Sequence, residues 1–108
     1  MKDDRVYLRH ILEAITAINE YTIDGKEVFF QKRLVQDGVI RNLEIIGEAA
    51  KNISAALRDG NQDIPWQKIA GLRDVLIHQY FGVDLETVWQ VVENRLPALK
   101  NRVLALLN

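Results

Sequence analysis

An apolar stripe with helical spacing runs through the middle of the chain. Its members recur in steps of three and four residues: Val35, Val39, Leu43, Ile46, Ala50, Ile53 and Leu57. This spacing places them on one face of an α-helix, and it predicts a long helix from residue 33 to about residue 58. Gly38 and Gly47 lie inside it. Because each glycine costs about 1 kcal/mol relative to alanine in a helix interior, we expect another helix to approach closely there.

Two helices are predicted before this stripe. The first begins near Asp3 or Asp4, since either carboxylate can cap a helix, and it continues to about Tyr21. Asp24 and Glu27 then have the spacing of a capping box, which predicts the start of a short second helix.

The segment after the long helix carries new start signals. Asp63 and Pro65 precede another apolar stretch and predict a helix that extends to about Gln79 or Tyr80. Its aliphatic residues occupy most of the circumference, so this helix must be buried in its own domain or against a partner. Trp66 lies on its apolar stripe and is expected to be a core or dimer contact.

A final helix is predicted after Asp84, which can cap it, with an apolar stripe that includes Trp89 as another core or dimer contact. Pro97 has no N–H to donate to the carbonyl of Glu93, so we expect it to kink or divide this helix. No segment alternates with the period of a strand. The sequence therefore predicts an all-α fold, an antiparallel bundle of four main helices plus a short helix, with residues 1–108 forming a single domain.

Composition excludes several classes of protein. The formal net charge is −1 and the pI is about 6.1, which argues against a broad basic surface that coats nucleic acid, so any such contact must be local. The chain has no cysteine, which removes disulfides and thiolate chemistry. No stretch reaches the roughly 18 apolar residues of a membrane span, and the N-terminus shows no signal-peptide pattern. We expect a soluble cytoplasmic protein.

Polar side chains with chemical potential are concentrated in residues 73–80. Arg73, Asp74, His78 and Tyr80 stand there among aliphatic residues. Arginine and aspartate are almost never fully buried unless paired, so these two must face a cleft, a partner or each other. At 3.6 residues per turn, Arg73 and Tyr80 lie about 20° apart, and Asp74 and His78 about 40° apart. Arg73 and His78 lie about 140° apart, so one straight helix does not direct both at one substrate.

The spacing RxxxxHxY in this segment resembles the motif of the HepT-like branch of the HEPN superfamily. The resemblance continues through LRHIL at residues 8–12, RNLEIIGEAA at 41–50, IPW at 64–66 and YFGVD at 80–84. It covers most of the chain. Proteins of this kind are ribonuclease toxins of toxin–antitoxin pairs, and the resemblance implies the same helical bundle and a metal-independent cleavage of RNA.

The resemblance assigns catalytic roles to Arg73 and His78. An imidazole titrates near neutrality and can take or give a proton, while a guanidinium offers a fixed charge to a phosphate. Family members pair two protomers around one cleft, so a homodimer is expected to bring Arg73 and His78 together. The structural alternatives are a core histidine bonded to Asp74 and a buried ion pair from Arg73 to Glu44 or Glu48.

Tyr80 is by resemblance the regulatory position. HepT-like proteins are paired with a minimal nucleotidyltransferase antitoxin of the MntA type, which attaches AMP to the motif tyrosine. The added phosphate would place negative charge and bulk beside the catalytic pair and block RNA.

Two acidic residues are candidates for support of the site. Asp74 can hold the tautomer of His78, and Glu48 can orient Arg73, although either can equally be a structural charge. His10 is interpreted as a flank residue rather than a ligand. No ligand spacing for a metal and no phosphate loop is present in the sequence, so neither a metal nor a cofactor is expected.

A rival from another class is a helical dimer without catalysis that binds the nucleotidyltransferase or a nucleotide, which suits the acidic pI. A weaker alternative is a purely structural bundle in which the motif is a buried network of ion pairs.

Overall fold

The computed structural model describes residues 3–78 and 84–108. Helices account for 82% of the structure: α1 (Asp4–Tyr21), α2 (Lys26–Gln31), α3 (Arg33–Lys51), α4 (Ala55–Gly60), α5 (Trp66–His78), α6 (Leu85–Asn94) and α7 (Leu96–Leu107). No strand occurs within these residues, so the predicted all-α class is confirmed.

The long helix α3 is the centre of the bundle, because α1 and α5 both pack extensively against it. Asp4 at the start of α1 contacts Ser54 just beyond α3, while Tyr21 at the end of α1 lies over Gly38 near the start of α3. The two helices therefore run antiparallel. The close approach expected at Gly38 is the ring of Tyr21, and Gly47 is buried.

The core is built from the predicted apolar stripes. Its largest fully buried side chains come from α1, α2, α3 and α7: Phe29, Leu8, Ile11, Ile15, Ile18, Leu43, Ile46, Val39 and Val103. Both tryptophans are also buried, and each finds a partner for its ring N–H. Trp66 donates to the backbone oxygen of Asn61 at 3.1 Å, and Trp89 donates to the carboxylate of Glu93 at 3.0 Å. The expectation that they are core residues is confirmed.

The first helix begins as predicted. Asp3 is its N-cap and accepts a hydrogen bond from the backbone N–H of Arg5 at 3.0 Å. The short α2 does not begin with the predicted capping box, and that prediction was wrong. Its N-cap is Gly25, which adopts a positive φ of 91° and makes no side-chain bond. A glycine tolerates this conformation without strain, so the turn forms without a carboxylate from Asp24.

The predicted helix over residues 33–58 was too long. The structure ends α3 at Lys51 and begins the separate helix α4 at Ala55. Ser54 is the N-cap of α4, since its hydroxyl accepts from the backbone N–H of Leu57 at 3.2 Å. The Asp4 carboxylate accepts from the backbone N–H and the hydroxyl of Ser54, at 2.8 and 2.6 Å. The apolar stripe continues across this break because both helices turn apolar residues toward the core.

The C-terminal third follows the sequence signals closely. Asp84 caps α6 by accepting from the backbone N–H of Glu86 at 3.0 Å. The predicted break near Pro97 falls at Arg95, and the proline occupies the first turn of α7. A missing N–H is harmless there, because the first N–H groups of a helix have no intrahelical acceptor.

Candidate functional site

Helix α5 carries the predicted motif and is anchored at its beginning. Pro65 precedes it and accepts the first-turn bond from the backbone N–H of Ile69 at 3.0 Å. Ile64, Trp66 and Ile69 are all buried, and the helix packs against α3. The second half of α5 contains Arg73 and His78, whose positions on the helix axis differ by about 7.5 Å. Both residues therefore belong to one helix with a fixed start.

The side chains of Arg73 and His78 lie outside the described part of the structure, and so does all of Tyr80. The expected end of α5 at residue 79 or 80 also lies outside it. The roles assigned to these three residues remain predictions.

The two supporting candidates are within the described residues. Asp74 on α5 is half exposed, and the ammonium of Lys51 lies 3.7 Å from its carboxylate. Glu48 is exposed on α3, one turn before Lys51. An ion pair from Arg73 to Glu48 would therefore not be a buried one. Glu44, the other proposed partner, lies 3.7 Å from the guanidinium of Arg41 on the same helix.

The contact between Lys51 and Asp74 joins the end of α3 to the motif helix. Asn52, the next residue, closes the end of α3 by donating its side-chain amide to the backbone oxygen of Glu48 at 2.9 Å. Lys51 and Asp74 thus form a polar contact at the junction of α3 and α5, where Asp74 is next to Arg73 in sequence, and Glu48 lies one turn before Lys51 on α3. Residue type and spacing indicated the two carboxylates as site residues but not Lys51, which lies 23 positions before Asp74 in the sequence.

A groove that the sequence did not predict lies between α5 and the last two helices. Its volume is about 470 Å³, within the range of small-molecule sites. Its floor is apolar and its rim is mostly basic, and the lining residues are Ile46, Asp63, Ile64, Pro65, Lys68, Ile69, Leu72, Val91, Asn94, Arg95, Leu96, Ala98, Leu99 and Arg102. Within the described ranges, Lys68 and Arg95 form no ion pair.

One rim cation of this groove is tightly held. The guanidinium of Arg102 donates two hydrogen bonds to the Asp63 carboxylate and one to the side-chain oxygen of Asn61. The bonds from Arg102 lower the pKa of Asp63 below its ordinary value. Asp63 therefore links the start of α5 to α7, a contact that the sequence did not predict, and α5 begins at Trp66, directly after the predicted start signals.

His10, the other histidine, is exposed on α1, where its ring meets the ring of Tyr7 edge-on at 6.1 Å between centroids. This position agrees with its interpretation as a flank residue. Among the helices that the structure describes, none is long and apolar enough to cross a membrane.

The fold and the motif helix are those of a HEPN-type helical bundle. The profile of the family described as "Ribonuclease HepT-like" matches residues 11–106, and the chain belongs to this HepT-like family.

Curated relatives agree with this assignment. The chain is 49% identical over 107 residues to the "Gamma-glutamylcyclotransferase and putative RNase MJ0434" of Methanocaldococcus jannaschii. This alignment covers 98% of the chain and 48% of that relative, so the chain spans about half its length. It is 45% identical over 100 residues to the "Probable ribonuclease HepT" of Thermococcus cleftensis, with 89% of the chain and 88% of the relative covered. No solved structure matches the chain.

Proposed function

We propose that this protein is a metal-independent endoribonuclease and the toxin of a type VII toxin–antitoxin pair, with Arg73 and His78 as its catalytic residues. The observation that carries the proposal is the position of both residues on α5, in a chain of the HepT-like family. The name of the relative from Thermococcus cleftensis supports RNA as the substrate.

RNA provides its own nucleophile. An imidazole of His78 accepts the proton of a 2′-hydroxyl, and the freed oxygen attacks the adjacent phosphorus. The bond from phosphorus to the 5′-oxygen breaks, and that oxygen leaves with a proton donated by a protonated group in the site. The products are a 2′,3′-cyclic phosphate and a 5′-hydroxyl. Arg73 stabilises the negative charge that builds on the phosphate oxygens.

Helix geometry supports a homodimer as the active form. Because Arg73 and His78 lie about 140° apart in projection along α5, side chains from two copies of this helix reach one phosphate more easily than side chains from a single copy. We propose that the α5 helices of the two protomers line one cleft. Asp74 and Glu48 would lie at the edge of this cleft and help to orient the catalytic side chains.

Tyr80 is the proposed point of control. It follows His78 by two residues, so an AMP group attached to its hydroxyl by a nucleotidyltransferase antitoxin adds a phosphate next to the catalytic pair. That negative charge repels the phosphates of RNA. Co-expression with the antitoxin should add AMP to the intact protein, as seen by mass spectrometry, and Tyr80→Phe should abolish the addition and leave the protein toxic.

Cleavage of RNA by the purified protein in the presence of a chelator tests the proposed activity. The wild-type protein should cleave, while His78→Ala and Arg73→Ala should not, and growth arrest should disappear with cleavage. His10→Ala is the matched control, since it removes the chain's other histidine from an exposed position on α1. Intact RNA together with tight binding of the nucleotidyltransferase would instead support a non-catalytic adaptor.

A further inference from the structure

Lys51 is placed next to the motif helix by the fold. It is the last residue of α3, and its ammonium lies 3.7 Å from the carboxylate of Asp74 on α5. Asp74 adjoins Arg73 in sequence and precedes His78 by one helical turn. Lys51 therefore brings a positive charge from a different helix to the sector of α5 that Asp74 and His78 share.

The contact between Lys51 and Asp74 is weak enough for another anion to replace the carboxylate. The side chain of Lys51 is 45% exposed and that of Asp74 is 52% exposed, so water screens both charges. Pairs of this kind are worth at most about 1 kcal/mol. A phosphate that arrives at this junction can therefore replace the carboxylate as the partner of Lys51 with little loss.

Local charge makes this lysine important to an anionic substrate. The whole chain carries a net charge of −1, so RNA gains nothing from long-range attraction. Glu48 on α3 and Asp74 on α5 carry two negative charges near the motif, which Arg73 alone does not balance, and Lys51 supplies the second positive charge. Besides Arg73, α5 carries one other cation, Lys68, and it is ten residues before His78, about 15 Å along the helix.

We infer that Lys51 binds a backbone phosphate of the RNA beside the scissile one. The inference rests on the proposed ribonuclease function and adds a substrate-binding residue to it. A purely structural bridge between α3 and α5 is the competing role. The two roles differ in one measurable respect, because a phosphate contact releases a counterion and contributes to the salt dependence of binding, whereas a bridge within the protein does not.

The test measures binding of single-stranded RNA at several salt concentrations in the His78→Ala background, which prevents cleavage. Lys51→Gln should weaken binding about three- to fivefold at low salt, as expected for one exposed charge contact. It should also reduce the slope of log K against log salt by about 0.7, the value for one phosphate on a single strand. Lys51→Arg should restore both quantities.

Lys32→Gln is the matched control. It removes the same charge from an exposed lysine at the opposite end of α3, about 28 Å from Lys51 along the helix. Binding and salt slope should stay at the wild-type values. In the protein with an intact His78, Lys51→Gln should raise KM and leave kcat unchanged.

Three results would overturn the inference. Equal salt slopes for Lys51→Gln and the parent would assign Lys51 a structural role while leaving the ribonuclease intact. Equal losses in the Lys51 and Lys32 variants would show a general charge effect. Failure of the parent to bind RNA, together with failure of the wild type to cleave it, would remove the proposed function and this inference with it.

Discussion

Asp63 and Arg102 join the start of the motif helix to the last helix, across 39 residues of sequence. The guanidinium donates through Nε to one carboxylate oxygen at 2.6 Å and through Nη2 to the other at 3.2 Å. A bidentate pair of this kind fixes direction as well as distance. Both residues line the groove between α5 and α7, so this contact crosses the groove at its margin.

The Asp63 carboxylate should therefore stabilise the fold in a pH-dependent way. Arg102 lowers the pKa of Asp63 from its ordinary value of 3.8, so the folded protein binds this proton less readily than the unfolded chain. The resulting stability is fully present above pH 3.8 and is lost as the pH falls through the lowered pKa. Asp63→Asn should be less stable than wild type at neutral pH, and the difference should shrink on acidification.

Urea denaturation from pH 7 down to pH 2 checks this prediction. Asp59→Asn is the control, because it removes a carboxylate from an exposed position in the neighbouring helix α4. A difference between Asp63→Asn and wild type that stays constant over the whole range would show that the carboxylate charge contributes nothing.

Much of this fold was predictable because apolar periodicity reports which face of a helix is buried. The same signal could not place the break at Ser54, since Ile53 and Leu57 reach the core from either side of it. At this break, Ser54 binds the Asp4 carboxylate, which lies 50 residues away in sequence. Periodicity carries no information about such a contact.

The candidate site also has one part that the sequence predicts and one part that it does not. Arg73 and His78 are close in sequence, so residue type and spacing were enough to select them. The contact of Lys51 with Asp74 and the basic rim of the groove join distant segments, and only the packing of α5 against its neighbours brings them together. The local sequence therefore predicts which residues could act as catalysts, whereas the charged groups around them are known only from the tertiary structure.

The substitution Ser54→Ala distinguishes the observed break between α3 and α4 from one continuous helix, because the two arrangements predict opposite changes in stability. In the structure, the hydroxyl accepts from Leu57 and donates to Asp4, so its loss should destabilise the protein by about 1–2 kcal/mol. If residues 33–58 formed one helix, alanine would be the better helix former and the variant would gain stability. Urea denaturation measures the difference, and Ser54→Thr should retain most of the cap.

The effect of Gly38→Ala on stability should depend strongly on whether Tyr21 is present. A Cβ at residue 38 would lie 2.5 Å from ring atoms of Tyr21, so the ring must move outward. The loss of its packing opposes the gain of about 1 kcal/mol in helix propensity, and we expect a net change near zero. In a Tyr21→Ala background the same substitution should stabilise by about 1 kcal/mol. Additive effects in this double-mutant cycle would contradict the close contact.

Mixed dimers test whether the catalytic pair is shared between protomers. Arg73→Ala and His78→Ala proteins should each be inactive alone. If Arg73 of one copy acts with His78 of the other, a dimer with one protomer of each variant keeps one intact combination. Random reassociation places about half of the protein in such dimers, so about a quarter of wild-type cleavage should return. The two variants should be unfolded together in urea, refolded and assayed on RNA, with each refolded alone as a control. Activity that stays at the level of the single variants, in samples where mass spectrometry of the intact complex detects mixed dimers, would place both groups of the site on one chain.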